Sequence, residues 1–136
     1  MDPALLDTDI LSELLKQRNP SVRTNAAAYL KTHGQFTMSA FTRFEVSRGY
    51  KEKQATTFLT RFDTFCRHSL ILPVTEAVLD QAGDLWSTAR RGGHSHYDAD
   101  LIIAATAIEA GRTLVSGNTA HFSWIPGLTL EDWRQP

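Results

Sequence analysis

The chain has 136 residues, 42% hydrophobic and 21% charged, an ordinary globular composition. Its length suffices for a single domain over 1–136 that buries roughly 70% of its unfolded surface. The formal net charge of −1 excludes a globally basic nucleic-acid binder, so contact with a polyanion needs a local basic patch. A lone cysteine, Cys66, excludes an intramolecular disulfide framework, no apolar run approaches the roughly 20 residues that span a bilayer, and "MDPALLDTD" is not a secretory leader, so the expected compartment is the cytoplasm.

In chain order, "ALLD" reads as a short strand, after which Ile10, Leu11, Leu14 and Leu15 recur at helical spacing. Asn19-Pro20 opens a second helix, Asn as N-cap and Pro at the first helical position, and Gly34 ends it. "QFTMS" is a second strand, and "AFTRFEVSRGYKEKQ" a helix carrying Glu45. Phe58, Phe62 and Phe65 form an i, i+4, i+7 stripe on a further helix, expected in the core, with a partner-binding groove or dimer face as its alternative. Cys66 reads as a small buried hydrophobe. "SLILPV" is a third strand, and a helix follows from about Glu76 to Arg91. The loop "GGHSHY" leads to the helix "DADLIIAATAIEAG", stopped by Gly111, then to the strand "TLVS" and a short fifth strand in "LTLEDW".

Strands alternating with helices predict an α/β fold whose mostly parallel sheet is covered on both faces. Right-handed crossovers then start helices at the carboxyl edge of the sheet, where ligands bind in open α/β folds. Asp7, Glu45, Asp98, Asp100 and Asn118 all fall at that edge. Each has a local explanation. Asp7 can be an N-cap, Thr42 and Glu45 match a capping box, Asp98 or Asp100 can cap the "LIIAATAI" helix, and "SGNT" can be a turn.

Together they resist that explanation, because carboxylates gathered at one edge repel each other and no Lys or Arg neighbours Asp7 or Asp100 in sequence. A divalent cation is the simplest neutraliser, and oxygen ligands favour Mg2+ or Mn2+ over zinc. Asp98 and Asp100, two apart on a helix, point about 200° from each other. Asp100, which leads into the apolar helix, is the inward residue and Asp98 a rim residue.

Four stretches, "LLDTDILSELL", "FTRFEVSRGY", "DLIIAATAI" and "LVSGNTAHFSWIPGL", carry a resemblance that spans nearly the whole chain. In order and spacing the chain resembles the PIN-domain ribonucleases, specifically the VapC-type toxins of toxin–antitoxin pairs. The resemblance implies a three-layer α/β/α sandwich with a central sheet of four to five strands that often dimerises. It also implies an acidic site of Asp7, Glu45 and Asp100, which would serve as catalytic residues and metal ligands. Asn118 stands where many relatives have a fourth acid. Thr8 and Ser12 lie close enough to orient Asp7 or a water. The implied activity is Mg2+- or Mn2+-dependent endonucleolytic cleavage of RNA, commonly tRNA, by a water that the ion activates. The implied partner is a small antitoxin that masks the site.

Arg43, Arg48, Arg90 and Arg91 are candidates for an RNA-contacting rim. His94 and His96 read first as a solvated loop and second as phosphate contacts, and His121 reads as structural. Two rival functions remain. A haloacid-dehalogenase-like phosphatase would use Asp7 as nucleophile and Asp9 as general acid, but that chemistry wants a downstream lysine and none follows Lys53. A non-catalytic binding module on the same fold gains from Asn118 in place of an acid.

Overall fold

A computed structural model describes residues 1–136. The strands are β1 (Ala4–Leu6), β2 (Thr37–Ser39), β3 (Leu70–Leu72), β4 (Thr113–Val115) and β5 (Leu130–Glu131). The helices are α1 (Thr8–Lys16), α2 (Pro20–His33), α3 (Ala40–Glu52), α4 (Thr56–Arg67), α5 (Glu76–Gly92), α6 (Asp98–Glu109) and the single turn α7 (Thr119–Phe122). Every strand pairing is parallel. The backbone hydrogen bonds form two ladders, β1-β4-β5 and β2-β3, with β2 beside β1 but not bonded to it. The continuous sheet expected from the sequence is therefore interrupted at its centre.

Period-two alternation along the strands feeds two separate cores, which makes the fold a three-layer sandwich. Ala4 and Leu6 of β1 and Val115 of β4 face a core with Ile10, Leu11, Tyr29 and Phe62, contributed by α1 to α4. Leu5 and Leu114 face the other core, with Leu85, Ile103 and Phe122, contributed by α5 to α7. Leu5 lies opposite Leu114 in the parallel register, so the two strands present matching faces.

Local signals explain most helix ends. The Asn19 side chain accepts from the Val22 N–H at 3.1 Å, with Pro20 at the first helical position, and Gly34 closes α2 at φ +81°. Ser39, not Thr42, caps α3, because β2 runs directly into that helix and the Ser39 hydroxyl takes the Phe41 N–H at 3.0 Å. Thr42 lies buried inside α3, so the capping-box reading of Thr42 and Glu45 is wrong. Neither Asp98 nor Asp100 caps α6, whose N-cap is Tyr97. The phenylalanine stripe on α4 also divides: Phe62 is buried, Phe65 half-buried against Phe36, and Phe58 is 55% exposed, stacked on Tyr50. Cys66 is buried, and burial pushes its thiol up from its ordinary range. No helix is long and apolar enough to cross a membrane.

The C-terminal segment is pinned by Trp133, fully buried against Tyr29 and Phe36, and by Asn25, whose amide donates to the carbonyls of Trp133 and Gln135. The indole N–H has no partner. Trp133 stabilises chiefly through packed area. Trp133→Ala should cost about 3–5 kcal/mol in urea unfolding. Trp133→Phe, which removes an unpartnered donor with part of the ring, should cost well under half of that.

Candidate active site

The site grows from the way strands hand over to helices. β1 ends at Leu6, and Asp7 stands in extended conformation as N-cap of α1. Its Oδ1 accepts the Thr8 N–H at 2.8 Å, while Oδ2 accepts the hydroxyl of Ser116 at 2.8 Å, just past the end of β4. The β1–β4 pairing delivers that hydroxyl, and Ser116 Oγ in turn accepts the Asn118 N–H at 3.0 Å. Asp7 is only 4% exposed and has no cationic partner.

Asp9, in the first turn of α1, joins the same edge. Its Oδ1 takes the Ile10 N–H at 2.7 Å and its Oδ2 the Gly117 N–H at 3.0 Å. Glu45 comes from the second turn of α3. Its Oε1 accepts the Thr8 hydroxyl at 2.8 Å, and its Oε2 lies 3.6 Å from Arg48. Asp100, in the first turn of α6, has a side chain 24% exposed with Oδ2 3.6 Å from Nδ1 of His121 on α7.

Electrostatics shows that these carboxylates feel each other. Burial, then the charge of Asp9, push Asp7 from the ordinary 3.8 up to about 7, although the bonds from Ser116 and Thr8 pull the other way. Burial also raises Asp100, which His121 lowers and Glu45 and Asp9 raise further. Thus Asp7, Asp9, Glu45 and Asp100 form one negative field, relieved by Arg48 beside Glu45 and His121 beside Asp100, each at 3.6 Å, and by the charge of Arg134 near Asp9. No three acidic or imidazole side chains draw near enough to one point to close a protein cage around an ion.

The other candidates from the sequence divide. Thr8 touches both Asp7, through its N–H, and Glu45, through its hydroxyl. Ser12 makes no hydrogen bond in the site; Ser116 does the orienting expected of it. Asp98 is exposed. Asn118 is exposed too, and only its backbone N–H bonds into the site. Among the arginines, Arg48 pairs with Glu45 and lies over the Phe44 ring, and Arg90 lies over Trp86 at 5.2 Å. Arg91 is exposed near the end of α5, whereas Arg43 sits where its charge acts on Cys66 of α4. His121, read from the sequence as structural, lies beside Asp100.

Sequence reasoning missed Asp9 as a member of this group, and also Ser116, Gly117 and Arg134. Gly117 is packed so closely that a Cβ there would lie 2.5 Å from the Arg134 guanidinium carbon and 2.8 Å from Asp9 Oδ2. Arg134 donates to the Gly117 carbonyl while Asp132 holds the guanidinium, so the C-terminal segment clamps the turn that serves Asp7 and Asp9. The doubled acid of "DTD" and the glycine of "SGN" were the only signals available.

Comparison with known proteins agrees with this geometry. The PIN domain family pattern matches residues 4–126. Ribonuclease VapC19 of Mycobacterium tuberculosis is 31% identical over 127 residues, covering 91% of this chain and 95% of that protein. The tRNA(fMet)-specific endonuclease VapC of Shigella flexneri is 27% identical over 130 residues, covering 95% and 96%. Among solved structures, VapBC2 of Rickettsia felis bound to a DNA fragment from its promoter superposes with a TM-score of 0.85 at 25% identity, covering 96% of this chain and 98% of that one. With a family pattern over nearly its full length and relatives matched end to end, the chain belongs to the PIN-domain family, among its VapC-type members.

Proposed function

We propose that the chain is a Mg2+- or Mn2+-dependent endoribonuclease, the toxin of a toxin–antitoxin pair, acting on tRNA or another structured RNA. The observation that carries this reading is the cluster of carboxylates at the carboxyl edge, only partly compensated, with Asp7 buried and unpaired by any cation. Its donors are all oxygen, the set that hard divalent cations prefer. The open arrangement fits Mg2+, which keeps several waters and uses few carboxylates directly. Asp7, Glu45 and Asp100 would hold the ion, in part through water. When bound, it would supply positive charge for the scissile phosphate and acidify a water at neutral pH.

The chain's own groups do the positioning. Ser116 and the Thr8 N–H fix both oxygens of Asp7, and the Thr8 hydroxyl fixes Glu45. Asn118 has a free amide at the rim, able to bond a water or a phosphate oxygen. Arg48, exposed beside Glu45, is the arginine best placed to meet the RNA backbone. The phosphatase alternative loses support, because that chemistry wants a lysine near the phosphate, none follows Lys53, and no lysine pairs with any carboxylate of the site. The VapC names of the relatives support RNA as substrate, and the tRNA-specific relative supports tRNA. A solved VapBC complex of the same fold supports an antitoxin as partner.

Two measurements test the reading. Antitoxin-free protein should cleave RNA with Mg2+ or Mn2+ and stop on addition of EDTA, and Asp7→Asn and Asp100→Asn should each lose at least about a hundredfold in rate. Wild type and both variants cleaving alike would sink it. The second measurement is stability against pH without divalent ions. The folded state holds the Asp7 proton up to about pH 7, whereas the unfolded chain releases it near 3.8. Wild-type stability therefore falls as pH rises between those values, and the cost stays in full above them. Asp7→Asn should stabilise the fold by on the order of 2–4 kcal/mol at pH 8, with the gain vanishing toward pH 4.

A further inference from the structure

We propose that the loop between α5 and α6, with the helix ends around it, is a base-stacking platform for an unpaired nucleotide next to the acidic edge. The proposal rests on the nuclease reading above and adds where the RNA lies. Two short aromatic columns meet at this loop. In the first, Trp86 of α5, 44% exposed, carries the Arg90 guanidinium 5.2 Å above its ring and the His96 ring edge-on at 6.2 Å. In the second, the His94 ring lies flat on Trp124, with centroids 4.8 Å apart and planes within 9°.

The second column leads to the carboxylates. The Trp124 N–H donates to the carbonyl of His121 at 2.9 Å, and the His121 ring lies 3.6 Å from Asp100. Tyr97, at the start of α6, is 66% exposed with its ring 6.1 Å from that of His121. The His96 ring nitrogen lies 3.1 Å from the carbonyl of His94, which ties the two columns together. A nucleotide resting on Tyr97 is therefore within one helical turn of Asp100, and Trp86 joins that surface through His96.

Charge and composition decide what this surface takes. From Trp86 to Tyr97 the chain holds Arg90 and Arg91 and no carboxylate, although the whole protein carries a net charge of −1. The stretch also holds no Leu, Ile, Val or Met, and its one aliphatic side chain, Ala89, is buried. A protein partner would need an apolar anchor there, and the stretch presents ring faces and guanidinium groups instead. Flat exposed rings beside arginines suit unpaired bases joined by phosphates, since every base has a face to stack. Paired bases expose no such face, so the platform selects single-stranded or looped RNA.

The test uses the full antitoxin-free chain in EDTA, so that binding is read without cleavage. Anisotropy of a dye-labelled single-stranded oligoribonucleotide is compared with the same strand in a duplex and with an abasic strand of equal charge. Trp86→Ala and Tyr97→Ala, both at exposed positions that leave the cores intact, should each weaken single-strand binding about tenfold or more. The abasic strand should lose less than about twofold. With Mg2+ restored, the same variants should raise KM and leave kcat within about twofold.

Gly92→Ala offers a milder probe. Its methyl would come within 2.8 Å of the His94 ring, displacing it from Trp124, and alanine suits the end of α5. It should give an intermediate loss with unchanged thermal stability. Unchanged single-strand affinity in both aromatic variants, or an equal loss on the abasic strand, would overturn the platform. Conversion of a dimer to a monomer by Trp86→Ala at unchanged affinity would also overturn it, assigning this face to a second copy. A wild type that binds the single strand through these rings yet cleaves no RNA with either metal would leave the platform standing and refute the nuclease reading.

Discussion

Like-charge repulsion at the carboxyl edge of the sheet is the constraint around which the rest of this fold is arranged. Asp7 is buried among strands and helices with Asp9 and Asp100 near enough to raise it, and no lysine or arginine answers it. The protein holds the group in place with neutral donors. Backbone N–H groups of Thr8, Ile10 and Gly117 and the hydroxyls of Thr8 and Ser116 take five carboxylate oxygens of Asp7, Asp9 and Glu45. Neutral donors fix geometry and leave the charge in place; the guanidinium groups stand beside Glu45 and Asp9, and none reaches Asp7. A site built this way concentrates unfavourable electrostatic energy that a cation, if bound, would release.

The parts of the chain most distant in sequence meet to maintain that edge. β1 supplies Asp7, and β4, its parallel neighbour, supplies Ser116 and the turn at Gly117. The turn is closed from outside by Arg134, which Asp132 orients and which follows the buried Trp133. Packing in one core thereby fixes a backbone N–H at the site, a link from tryptophan burial to the position of Asp9 Oδ2. Glycine at 117 is required by this closeness, not by backbone conformation, since its φ is not among the positive ones.

Much of this was legible in the sequence, for physical reasons that differ by residue. Asn19-Pro20, Gly34 and Gly111 mark helix ends through their own chemistry, so the helices fell where expected. Asp7, Glu45 and Asp100 could be assigned to one edge because strand exits and helix starts share it in any parallel α/β fold. Asp9 could not, since its role depends on an N–H that lies 108 residues away in sequence. Thr42 imitated a cap because T-x-x-E has that spacing, but a strand ending at Ser39 leaves the cap to the serine. Phe58 fits the helical stripe and is still exposed, because α4 buries one narrow face and the stack on Tyr50 covers one face of the ring. The gap between β1 and β2 leaves no trace in hydropathy, since both strands are fully buried.

The account stands on one ion relieving the charge that this edge concentrates. Mn2+ titration of the antitoxin-free protein, followed by electron paramagnetic resonance of the unbound ion, measures that directly and needs no RNA. The account predicts saturable binding that Mg2+ displaces and that weakens at least about tenfold in Asp7→Asn and in Asp100→Asn. It predicts little change in Asp98→Asn, whose carboxylate is exposed and pairs with no cation. Binding that is absent in the wild type, or equal in all three variants, would contradict it.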